Sequence, residues 1–125
     1  MNYIPTIGDL LIRPKAIGIL DHVGVLVAAN AVLQNTPEKG EHLAPVHEFA
    51  AGQPIRVQPT GADPTHVMAR ARNVLANAKP YNPFSRNCEH TASEVVLGFA
   101  KSPQLLFIVS LTVIVVVLVV FWPRR

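Results

Sequence analysis

The stretch Asn82-Pro83-Phe84-Ser85-Arg86-Asn87-Cys88-Glu89-His90 holds the only cysteine of the 125-residue chain, and the reading of the fold starts there. Asn82-Pro83 is a turn signal. Asn87 is a good helix N-cap, because its side-chain oxygen can accept an orphan backbone N–H of the first turn. Cys88 then falls at the first helical position, where the positive end of the helix dipole favours thiolate. Thr91, Ala92, Val95, Val96 and Phe99 follow it by three, four, seven, eight and eleven residues, so they share one helical face with the thiol. A lone cysteine there suits two roles, a nucleophile or a small core hydrophobe.

Beyond this helix, Ser102-Pro103 reads as a break, and residues 101–104 as a hinge. Leu105 to Trp122 is then a run of 18 residues without a charge. As a helix it spans roughly 27 Å, close to the hydrocarbon thickness of a bilayer. A domain of about 100 residues has no core able to hide a helix that is apolar all round. Ser110 and Thr112 can bond back to their own helix, Trp122 stands where an interfacial aromatic would, and Arg124-Arg125 follow. No stretch near Met1 has a charged start followed by an apolar core. The reading is a C-terminal tail anchor at 105–122, with residues 1–100 as a catalytic domain on the cytosolic side. The anchor also offers a surface for oligomerisation.

Before the thiol the order is strands first, then helices. Leu10-Leu11-Ile12 is a first strand stopped by Pro14, and Ile17 to Leu20 pairs or turns. Val23 to Val27 is a β-branched buried strand, Ala29-Asn30 a hairpin turn, and Ala31 to Gln34 the returning strand. Asn35 to His42 (NTPEKGEH) reads as a polar loop. Val46 to Ala50 is ambiguous, and Ile55 to Val57 is a short strand. Asp63-Pro64 opens an amphipathic helix whose apolar positions run from Val67 to Ala78, ended by Lys79-Pro80. This order argues α+β, a small antiparallel sheet packed on helices. Net charge is only +3 and the basic residues are scattered, which excludes a phosphate-tracking patch and so a nucleic-acid partner. One cysteine and five dispersed histidines give no zinc spacing and no internal disulfide. No metal or cofactor is expected.

A thiol nucleophile needs a base. The candidates are His22, His42, His47, His66 and His90. His22 is best placed, because it heads an apolar strand that can hold the ring rigidly. His90, two residues from Cys88, falls on another helical face and reads as a surface or supporting group. His42 and His47 sit in or beside the polar loop, and His66 takes the outer face of its helix.

Taken in order, Gly8-Asp9-Leu10-Leu11-Ile12, His22-Val23-Gly24-Val25-Leu26-Val27 and Asn87-Cys88-Glu89-His90 resemble the lecithin:retinol acyltransferase (LRAT) domain family over roughly Gly8 to Phe99. The resemblance implies a circularly permuted papain-like fold with a C-terminal membrane segment. It also implies thiol chemistry in which an acyl chain passes from a phospholipid to the cysteine, and then to an amine, an alcohol or water. Cys88 matches the nucleophile and His22 the base. The family's second histidine, 12 residues after the first, is here Gln34. A glutamine amide can accept from an imidazole N–H and fix its tautomer, though it cannot balance charge. His42, in a His-Leu-Ala-Pro string, is the alternative third member, at the expense of eight further residues of loop. The implied partners are a phospholipid bilayer and an acyl-chain substrate. Two other readings stand beside it: a cysteine peptidase or amidase of the same permuted group, and a non-catalytic membrane-anchored interaction module.

Overall fold

The computed structural model describes residues 3–15, 18 and 20–123. Ile17 and Ile19 of the expected pairing segment, and the Arg124-Arg125 pair, lie outside them. The strands are β1 (Leu10–Pro14), β2 (Asp21–Ala28), β3 (Ala31–Thr36), β4 (Gly40–Ala44) and β5 (Arg56–Gln58). They form one antiparallel sheet in the order β4-β3-β2-β1-β5. The helices are α1 (Val46–Ala50), α2 (Pro64–Ala76), α3 (Cys88–Leu97) and α4 (Pro103–Val120). The protein is thus α+β, as the order of elements predicts.

Strand alternation sorts the apolar residues onto two faces. Val23, Val25 and Val27 of β2 and Leu33 of β3 pack with Val67, Ala71 and Val74 of α2 and with Ala92 and Val95 of α3. Leu11, Leu26 and Val32 pack on the other face with Phe49 of α1. Gly24 is required under Phe49: a Cβ there would stand 2.8 Å from the ring's Cε2.

Three sequence expectations change. Asn35 to His42 is not a loop, because β3 runs on to Thr36 and β4 begins at Gly40. Hydropathy misses this strand because its polar groups find partners in the folded sheet: Glu41 is buried against Arg86, far along the chain, and half-buried His42 faces Gln34 on the next strand. The amphipathic helix stops at Ala76, before Ala78 and Lys79-Pro80. Phe99 does not join the buried face of α3, since Gly98 ends the helix in a left-handed turn (φ 88°) and leaves Phe99 exposed.

Helix α4 starts at Pro103, taking in two residues of the expected hinge, and ends at Val120. Its 18 residues have a mean hydropathy of 2.8, and none is buried. It is long and apolar enough to span a membrane. Thr112 Oγ1 donates back to the Ile108 carbonyl at 2.9 Å, which silences its hydroxyl within the apolar helix.

Candidate active site

Asn87 caps α3 as expected, and more completely. Its side-chain oxygen accepts from the N–H groups of Glu89 (2.9 Å) and His90 (3.2 Å). The Asn87 N–H in turn donates to His90 Nδ1 at 3.0 Å. This is a capping box with histidine at the third helical position, so His90 is a buried helix cap and not a surface group. The signal was in the spacing, three residues after the cap. Burial, then the nearby Arg86 guanidinium, lowers the His90 pKa, which fits an Nδ1 that must accept.

The segment before the cap is held just as firmly. Asn82 and Arg86 exchange two backbone hydrogen bonds. The Arg86 guanidinium, 7% exposed, meets the Glu41 carboxylate through Nε (2.6 Å) and Nη2 (3.1 Å) and also contacts Glu94. Asn35 Nδ2 donates to the Arg86 carbonyl at 2.8 Å and to Thr91 Oγ1 at 3.1 Å. These bonds fix the start of α3 against β3 and β4. Sequence reading had no means of selecting Asn35, Glu41 or Arg86, because each is defined by a partner at least 45 residues away.

The Cys88 thiol is 3% exposed. It sits at the start of α3, which packs on β2, and the backbone N–H groups of Val23, one residue past His22, and of Glu89 favour its charged form. Burial pushes the thiol pKa up, against the downward pull of Val23, Lys15 and Glu89 N–H. The expectation of a thiolate favoured by the helix start is therefore corrected: desolvation outweighs these nearby N–H groups and the Lys15 charge.

His22 is 5% exposed and stacks on Phe49, with ring centroids 5.2 Å apart. Arg13, its neighbour across β1, donates from Nε to the Phe49 carbonyl at 2.6 Å. Burial lowers the His22 pKa to about 4 despite the upward pull of its bond to Gln34; Arg13 and Lys15 add to the lowering. The imidazole is neutral at pH 7.

Gln34 and His42, weighed as alternatives, are brought together in series. They face each other in the β3–β4 register. His22 Nε2 stands 2.8 Å from Gln34 Oε1, Gln34 Nε2 stands 3.1 Å from His42 Nε2, and His42 Nδ1 stands 2.7 Å from the Gly40 carbonyl. The directions follow from the far end. A carbonyl only accepts, so His42 Nδ1 carries the proton. In a neutral ring His42 Nε2 then accepts from the Gln34 amide, and Gln34 Oε1 accepts from His22 Nε2–H. That leaves the lone pair on His22 Nδ1, the atom free to act as a base. His47 and His66 take no part in this chain of bonds.

A groove of about 510 Å³ lies along β1, β2 and α3, lined by Asp21, Val23 and Glu89, the chain neighbours of His22 and Cys88, but not by His22 or Cys88 themselves. Its apolar floor includes Leu10, Ile12, Val23, Ala92 and Val96, and Pro103 and Gln104 of α4 form part of its wall. It shares Val23 and Glu89 with the surroundings of the sulfur. Compared with known families and curated proteins, the chain matches no family model and no curated protein.

Proposed function

We propose that the chain is a membrane-anchored thiol acyltransferase or phospholipase of the LRAT-like, permuted papain-like kind, with Cys88 as nucleophile and His22 as base. The observation that carries this reading is the bond series Gly40–His42–Gln34–His22, which leaves a lone pair on His22 Nδ1 in the strand on which the Cys88 helix packs. A core cysteine used only for packing has no need of such a relay.

The resting pair is a neutral thiol and a neutral imidazole, so His22 works as a general base within the step. The Cys88 S–H proton passes to His22 Nδ1 while sulfur bonds to the carbonyl carbon of a phospholipid ester. The tetrahedral oxyanion collapses, the carbon–oxygen ester bond breaks, and the imidazolium returns its proton to the departing lysophospholipid oxygen. An acceptor, whether water, an alcohol or an amine, then gives a proton to His22 and attacks the thioester carbonyl. The sulfur leaves and recovers its proton. The capping box uses the N–H groups of Asn87, Glu89 and His90, so the first-turn donor left for the oxyanion is Cys88 N–H itself. The groove suits an acyl chain, and α4 would hold the site beside the lipid, with the domain on the cytosolic face.

The deep burial and raised pKa of the thiol favour a second reading, a non-catalytic anchored module that keeps the thiol fold. Mass spectrometry separates the two. The full chain in detergent micelles is mixed with phosphatidylcholine; an acyl adduct on Cys88, absent from Cys88→Ala, is expected. No adduct with phosphatidylcholine or with whole-cell lipid extract sinks the lipid reading.

A further inference from the structure

Five hydrogen bonds join the start of α4 to the residues beside the candidate nucleophile and base. Gln104 grips Asp21, the residue before His22, at both backbone groups. Asp21 N–H donates to Gln104 Oε1 at 2.8 Å, and Gln104 Nε2 donates to the Asp21 carbonyl at 3.1 Å. On the other side, the Glu89 carboxylate, next to Cys88, accepts from Ser102 Oγ at 2.7 Å and from Gln104 N at 2.9 Å. Asn87 Nδ2 donates to Ser102 Oγ at 3.0 Å. The apolar helix thus touches β2 one residue before the base and α3 one residue to each side of the thiol.

We infer that Gln104 and Ser102 are positioning residues, through which the membrane-type helix α4 sets the distance between His22 and Cys88. This rests on the pair acting as proposed above. An anchor needs only length and hydrophobicity. A glutamine that uses both ends of its amide on one residue of β2 does a different job, since it fixes where that strand begins relative to α3. Misplacement by about 1 Å is enough to cost on the order of a hundredfold in rate. The helix therefore carries its position in the bilayer directly into the spacing of the two reacting groups.

The test uses the full chain in detergent micelles with iodoacetamide as the probe of Cys88. Gln104→Met keeps the side-chain length and removes both bonds to Asp21; Val113→Ala, in mid-helix, is the control. Gln104→Met is expected to change the rate of Cys88 alkylation about tenfold and to move its pH profile, with faster amide exchange at Asp21, while Val113→Ala follows the native protein. A Gln104→Met profile that overlays the native one overturns the inference, and so does an equal shift in Val113→Ala. Should Gln104→Met lose its near-UV circular dichroism, Ser102→Ala is read by the same criteria. If the native chain forms no thioester with phosphatidylcholine yet Gln104→Met still shifts the profile, the lipid reading fails and the positioning stands.

Discussion

Gln34 Nε2 lies 3.1 Å from His42 Nε2, directly across the β3–β4 ladder, and this contact passes on to His22 the sense that the Gly40 carbonyl fixes at His42. With its amide nitrogen committed to His42, Gln34 can offer His22 only its oxygen. Gln34→Leu should therefore free the His22 tautomer and slow acylation of Cys88 by phosphatidylcholine by roughly 10–100-fold, and His22→Ala by about 10²–10⁴-fold. His42→Phe acts only through Gln34 and should cost less, about tenfold or under. The thioester formation rates of the three variants check the order; His42→Phe slower than Gln34→Leu would contradict it.

Stability should also depend on acid through His22. Its folded pKa is depressed to about 4, below its ordinary 6.5. Above pH 6.5 the ring is neutral in both states and adds no slope. As pH falls from 6.5 towards 4 the unfolded chain takes up the proton first, so stability falls, by at most about 3 kcal/mol. His90, also lowered, acts in the same direction. Urea midpoints between pH 7 and pH 4 should show this slope, and His22→Gln should flatten it by more than half.

A raised thiol pKa predicts slow alkylation of Cys88 near neutrality, with the rate rising as pH passes above the ordinary thiol range. A preformed thiolate–imidazolium pair would instead give a fast plateau between about pH 4 and pH 8. Iodoacetamide rates over that range decide between them.

Much of this architecture was legible in the chain. Strands β1, β2 and β3 and the Ala29-Asn30 turn carry β-branched, apolar patterns, and Asn87 and Asp63 announce their helices as caps. What was not legible is which polar side chains find partners across the sheet or far along the chain. Strand β4 reads as loop because Glu41 and His42 look like surface residues until Arg86 and Gln34 are beside them. For the same reason Gln34 and His42 stood as rivals, when their facing positions make them neighbours in one series. Residues 101–104 read as a hinge because nothing in Ser102-Pro103-Gln104 predicts contacts with Asp21 and Glu89.

The buried Arg86–Glu41 pair provides the last prediction. Both groups are almost wholly removed from water, with side chains 8% and 0% exposed, and the guanidinium meets the carboxylate at two atoms. Glu41→Leu leaves Arg86 buried with Glu94 as its remaining anionic partner. Removing one member of such a pair costs about 3–5 kcal/mol, because the stranded charge keeps its desolvation penalty; Glu94 should hold the loss near the lower figure. Removing Arg86 as well, in Glu41→Leu with Arg86→Met, takes the stranded cation away and should recover part of the loss. It would not restore acylation to the native rate, because the Arg86 side chain also holds Glu94 of α3, the helix that begins at Cys88. Urea unfolding of the single and double variants, beside their thioester rates, separates the two contributions. A double variant less stable than Glu41→Leu alone would mean that the pair contributes by packing rather than by charge.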